Sequence, residues 1–339
     1  MITASRPGQR QRGGGLVEFA IAMLLGLMLI AGALTVHHRS MTAMRTADTV
    51  ARLQDAGRLA LDVIEPDVRM AGFWGRSARP ELVVNRAGPG QPLPAPFTPM
   101  QGTRIDGCGG ADSRWAIDLD APIGGTDDAY GLSCAAVGEP RPGADTLVVR
   151  RAAEAPSESL AVDRIHLQAS HVRGALFVPA PGCTNPMNVA CLPDGFSPQD
   201  SQARTLVVRA YYVASSSTQR ADVPSLRRKS FGNVNAAGAA AALVDEEIVA
   251  GIEDLQVRLG VDRDGDGSVD AHAEPGAAPD GATVVTATIW LRVRSEDREP
   301  GHVDLAAYHY ADMVEPYVPG DAYRRVLVSR TIELRNARP

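Results

Sequence analysis

The chain has 339 residues, a formal net charge of −6 and 45% hydrophobic side chains, enough for one large core or two smaller ones. This acidic balance excludes a surface built to neutralise nucleic-acid phosphates, so no direct nucleic-acid partner is expected. The four cysteines include no C-x-x-C pair, which argues against structural zinc.

The first stretch is basic: Arg6, Arg10 and Arg12 precede Gly13 with no acid among them. Residues 16–36, LVEFAIAMLLGLMLIAGALTV, follow, and as a helix they would span about 30 Å, the thickness of a bilayer core. Their only charge is Glu18, and a carboxylate near one end of a membrane helix is costly unless it finds a partner. A secretory signal would have a shorter apolar core with its cleavage site after it. Here the glycines come first, so a cut among them leaves the apolar run attached.

Beyond it, Val50, Leu53, Gly57, Ala60, Leu61, Ile64, Val68 and Ala71 recur at spacings of three and four, which predicts a continuing helix with one apolar face packed on a body. Pro66 lies inside that pattern. Its missing N–H and ring clash should kink or interrupt the helix near Ile64 and Glu65.

These opening residues resemble the class III signal of type IV prepilins: a short basic leader, a glycine at the cut and a glutamate at the fifth mature position. Counting back from Glu18 puts the cut between Gly13 and Gly14, and the triple glycine also permits one residue either way. The family usually has phenylalanine where this chain has Gly14. The resemblance implies cleavage and amino-terminal methylation by a prepilin peptidase. It also implies pairing of Glu18 with a neighbouring subunit's terminal amine, which would offset the burial of the carboxylate and set register.

The segment TADTVARLQDAGRLALDVIEPDVRMAGFWG, with its closing R-M-A-G-aromatic-W block, resembles the PilW family of minor pilins. So do IVAGIEDLQVRLGVDRDGDGSVD, the strand around Trp290 and the near-terminal YRRVLVSRTIELRN. The resemblance implies a single-pass inner-membrane protein with a periplasmic body that later enters the pilus. Its implied work is to prime assembly and form part of a tip complex. Its implied partners are other minor pilins, the major pilin, a tip adhesin-like protein, the prepilin peptidase and the inner-membrane assembly platform. A type II secretion pseudopilin of the J kind is an alternative, as is a calcium-dependent adhesive or ligand-binding module carried on a pilus.

After Trp74 the chain reads as short apolar runs between Pro-rich and Gly-rich stretches. In Thr283–Arg294, Val285, Ala287, Ile289, Leu291 and Val293 alternate with Thr286, Thr288, Trp290 and Arg292, the mark of a half-buried antiparallel strand. Residues 146–151, 205–213, 255–261 and 325–335 read similarly, and the Ala-Gly run of 235–242 reads as a flexible loop. The expected class is α+β and pilin-like: a long N-terminal helix packed on an antiparallel sheet with long loops. Its parts are a leader (1–13), a transmembrane and assembly half of the helix (14–36), an amphipathic half (37–72) and a β-rich body (73–339). The loop at 80–133 holds Cys108 and is followed directly by Cys134, and the loop at 175–201 holds Cys183 and Cys191. For an exported body these four favour two disulfides among three possible pairings. The sequential pairing, Cys108 with Cys134 and Cys183 with Cys191, is the working expectation.

In DRDGDGSVD, Asp262, Asp264, Asp266, Ser268 and Asp270 fall at positions 1, 3, 5, 7 and 9 of a calcium loop, with Gly267 at the sharp turn. Alternate residues of a tight loop aim oxygens at one centre, which suits Ca²⁺. Position 12 is Ala273, however, and Glu274 is one step late. An acidic turn between two strands would give the same sequence without an ion. Seven scattered histidines, with no H-E-x-x-H, no G-x-S-x-G and no phosphate-binding glycine loop, give no basis for an enzyme. His37, His38 and His309 read as interfacial or structural.

Overall fold

The computed structural model describes residues 15–77, 79–87, 115–132, 134–162, 164–234, 241–278 and 282–337. Two compact units, residues 1–51 and 52–339, divide the chain.

The described part of the first unit is the opening of one helix, α1 (Leu16–Arg69, 54 residues). Leu16, Phe19, Leu25, Leu29, Ile30 and Leu34 are all exposed. An 18-residue stretch with a hydropathy of 2.5 makes this helix long and apolar enough to cross a membrane, a candidate anchor. Thr35 and Thr42 donate to the Ala31 and His38 carbonyls at 2.8 and 3.0 Å, so their hydroxyls are satisfied within the helix.

Within the second unit, α1 buries Leu53, Gly57, Ala60, Leu61, Ile64, Asp67 and Val68, the expected stripe plus one carboxylate. The stripe packs on two sheets, and Leu61, Ile64 and Val68 share a core with Leu147, Tyr211, Leu255, Val257, Ile289, Leu291 and Ile332. Fully burying a side chain such as Ile64 contributes about 1.5–3 kcal/mol. At Gly57 the approach is closest: a Cβ there would lie 2.7 Å from Val328 Cγ2, so the stripe needs a residue without one.

The helix is not interrupted at Pro66. It runs on to Arg69, and the Met70 amide donates to the Pro66 carbonyl at 3.2 Å. The proline stands in the last turn, where one missing N–H frees a single carbonyl while Asp67 and Val68, both fully buried, hold the turn to the body. Gly72 then takes a left-handed φ of 75°, its amide donating to the Arg150 carbonyl at 3.1 Å, and Trp74 enters a second core with Leu119, Leu167, Leu176 and Leu206. The R-M-A-G-aromatic-W block is thus the turn that passes the chain from helix to body.

The larger sheet has eight strands: β1 (Val83–Val84), β2 (Ile123–Thr126), β3 (Thr146–Ala152), β4 (His166–Ala169), β5 (Gly174–Phe177), β6 (Gln202–Ala214), β7 (Ser225–Val234) and β8 (Ala241–Ala250). Its order is β1-β5-β4-β6-β3-β2, with β7 pairing β6 and β8. The smaller sheet is β10-β9-β11-β12, formed by β9 (Ile252–Asp262), β10 (Ala271–Ala273), β11 (Thr283–Arg294) and β12 (Arg325–Glu333). Among the described residues every strand pair is antiparallel except β1 with β5. The α+β class with a long helix on a largely antiparallel body is therefore observed. Ala241 and Ala242, read from the sequence as loop, open β8, and residues 235–240 lie outside the described residues.

Along β11, Val285, Ala287, Ile289, Leu291 and Val293 are buried as the alternation requires. Arg292 and Arg294 are buried as well, because Tyr317 and Tyr323, from the segment between β11 and β12, stack on their guanidiniums at 4.0 and 4.2 Å.

Candidate functional site

Glu18 stands in the first turn of α1, and its Oε2 accepts the Gly15 amide at 3.0 Å. This is the reaching-back contact by which an acid near a helix start satisfies a free N–H, and the helix dipole favours it. Gly13 and Gly14 lie outside the described residues, as does Cys108. Cys183 and Cys191 form a disulfide that closes an eight-residue separation. Cys134 is also disulfide-bonded.

The acidic loop joins β9 to β10, whose register pairs Ala271 with Val261, so the frame is a hairpin and not two helices. Asp262 ends β9, buried at 2% exposure, and its two carboxylate oxygens accept the Gly265 and Gly267 amides at 2.7 and 2.8 Å. Those amides, Gly267 first, hold its carboxyl below the usual carboxylate range. Gly265 and Gly267 adopt φ of 82° and 85°, which only glycine takes without strain. Asp262, Asp264 and Asp270 bring carboxylate oxygens within 4.8 Å of one another. Asp266 is not in that group. It accepts the Ser268 amide at 2.6 Å. Glu274 is paired with Arg258 at 2.6 Å.

A second acidic group, Asp127, Asp128 and Asp312, comes from the segment after β2 and the segment after β11. Burial and then the neighbouring Asp312 and Asp128 charges push the Asp127 carboxyl up.

Sequence reasoning missed the polar anchor that joins helix to body. Asp67 is fully buried and accepts from Arg151 at 2.9 Å, from Arg209 at 2.7 Å and from the Tyr211 hydroxyl. The signal was available, since Asp67 lies three residues after Ile64 and seven after Ala60, on the apolar face of the stripe. A second buried cluster, within the body and not on the helix, centres on Glu253. Arg325 grips it bidentately at 2.7 and 3.1 Å, with Arg292 and Arg141 each at 3.1 Å. Burial works to raise the Glu253 carboxyl, but Arg325, Arg292 and Arg141 together hold it below the usual range.

Asp67 thus ties the last turns of α1 to the larger sheet, while the first half of the helix is exposed and apolar with a single carboxylate, Glu18. Residues 210–336, from within β6 to just beyond β12, match the family model described as type IV pilus-assembly protein W, PilW. No curated protein and no solved structure gave a significant match. The match bears out the PilW resemblance over the closing section of the chain, and the family's description points to a role in type IV pilus assembly.

Proposed function

We propose that this chain is a minor pilin that primes type IV pilus assembly and forms part of the pilus tip complex. The observation that carries the proposal is α1: apolar and exposed over its first half, with one carboxylate, Glu18, in its first turn, and built by its last turns into a body whose residues 210–336 match PilW. In this reading a prepilin peptidase cuts between Gly13 and Gly14 and methylates the new terminus. The anchor spans the inner membrane once, with the body in the periplasm. Glu18 exchanges the Gly15 amide for the terminal amine of a neighbouring subunit, a charge-assisted contact that gains strength away from water. The other minor pilins, the major pilin, a tip adhesin-like protein and the assembly platform are its partners, and its work is done by interfaces and not by catalysis.

Mass spectrometry of the mature amino terminus, in cells with and without the peptidase, tests this directly. A peptidase-dependent methylated start at Gly14 or an adjacent glycine is expected. An intact Met1, or a cut after residue 36, would sink it.

Calcium binding by the β9–β10 loop is a second reading, favoured by the convergence of Asp262, Asp264 and Asp270. Calcium titration of the full chain in detergent should raise its melting temperature, and Asp264→Asn should abolish the rise. An unchanged melting temperature would leave the loop as an acidic turn held by its own amides.

A further inference from the structure

Among the described residues, five strands stand at sheet edges: β1, β2 and β8 in the larger sheet, β10 and β12 in the smaller. An open edge invites pairing with another chain, and folded proteins ordinarily blunt it by shortness, bulges or charge. Four of these five are blunted in that way. β1, β2 and β10 are two, four and three residues long, and β8 shifts register against β7 and carries Asp245, Glu246 and Glu247 in succession. β12 is the exception. It runs nine residues in unbroken register along β11, without proline, lysine or bulge. Of its charged side chains, Arg325 is buried against Glu253 and Arg330 is tied to Asp62 and Glu65 of α1, which leaves Glu333.

The ladder shows which backbone groups are free. In an antiparallel pair, opposed residues alternately exchange both hydrogen bonds and turn them outward. Leu334 donates to the carbonyl of Val285 opposite it at 2.9 Å, so the even-numbered residues of β12 bond to β11, while Leu327, Ser329, Thr331 and Glu333 turn N–H and C=O outward. Ser295, donating to the Arg324 carbonyl at 2.8 Å, fixes the same parity at the other end. The next outward amide, that of Arg335, is taken by the Arg69 carbonyl at 3.0 Å. Among the described residues no hydrogen bond reaches the outward backbone groups of the four, and Ser329, Thr331 and Glu333 are exposed.

A second copy does not fit this edge. Antiparallel pairing of two β12 strands is a two-fold arrangement that would reverse the α1 helix each of them carries, Gly57 lying against Val328, and two helices anchored in one membrane run the same way. The remaining edges of a second copy are the blunted ones. We infer, on the pilin reading, that β12 receives an extended strand from a different pilus subunit, which becomes the fifth strand of the smaller sheet. Main-chain hydrogen bonds to Leu327–Glu333 supply the affinity. Ser329 and Thr331 favour hydroxyl or β-branched residues opposite them, and Glu333, with no ion pair among the described residues, favours an arginine or lysine.

Amide hydrogen exchange of the full-length chain in detergent, alone and co-purified with the other minor pilins of its pilus, tests this. Alone, the amides of Leu327, Ser329, Thr331 and Glu333 should exchange freely while those of Val328, Arg330 and Ile332 are protected, and in the complex the first set should slow at least about tenfold. Ser329→Pro removes an outward amide without touching the ladder to β11. It should lower recovery of the partners at least about tenfold and shift the chain's own melting temperature by under about 3 °C, whereas Ser329→Ala should change neither. Outward amides already protected in the chain alone, unchanged exchange in the complex, no complex at all, equal effects of Ser329→Pro and Ser329→Ala, or a disulfide-linked homodimer formed through Thr331→Cys would overturn strand addition. A methylated start at Gly14 in any of those cases leaves the pilin reading standing, so the two fail separately.

Discussion

The two halves of α1 share one backbone geometry and almost opposite surroundings. In residues 16–36 apolar side chains surround the helix and all are exposed except Gly26, which is half-buried, whereas from Leu53 onward a narrow stripe is buried and polar residues take the outer face. An all-round apolar surface can be satisfied only by a lipid or by other apolar helices, while a stripe is satisfied by one sheet face. Helix propensity is common to both, so the angular distribution of apolar residues decides what each half meets.

The sharpest way to break this comparison is at its polar rivet. Asp67→Ala leaves Arg151, Arg209 and Tyr211 without their shared acceptor, and should cost about 3–5 kcal/mol in denaturant unfolding of the full chain. Loss under about 1 kcal/mol would mean that those donors find water instead. Gly57→Leu should come next, at about 1–3 kcal/mol, because its side chain must displace Val328 and Val293.

A pH effect is smaller. Hydrogen bonds from Arg325 push the Asp321 carboxyl down to about 2 from its ordinary 3.8. A folded value below the unfolded one contributes stability that is present above pH 3.8 and lost as the pH falls through about 2. The melting temperature should fall across that window, and Asp321→Asn should flatten the fall. The smallest effect belongs to the exposed half: Leu27→Ala should leave unfolding of the body within about 0.5 kcal/mol of wild type while weakening retention in vesicles. A large loss of body stability there would mean that Leu27 packs against protein.

Apolar patterning predicted strongly wherever one face is buried. The stripe on α1, the alternation in β11 and the turn glycines of the acidic loop were all legible, because each encodes its environment in local spacing. β7 and β8 escaped notice because their pairing is written in charge: Arg227, Arg228 and Lys229 lie opposite Glu247, Glu246 and Asp245, a ladder with no apolar alternation to mark it. The interruption expected at Pro66 failed for a related reason, since local propensity was outweighed by burial of Asp67 and Val68 on the body.

Linear order was sufficient for the membrane-length apolar helix, the position of Glu18, the α+β class and the likeness to PilW, all of which depend on composition and spacing within short windows. It could not reveal that Asp67 would be gripped by Arg151 and Arg209, or that Glu253 would be held by Arg325, Arg292 and Arg141. Those arrangements join residues far apart in the chain, and the energy that makes them, a buried charge matched by its partners, exists only once the chain has closed on itself.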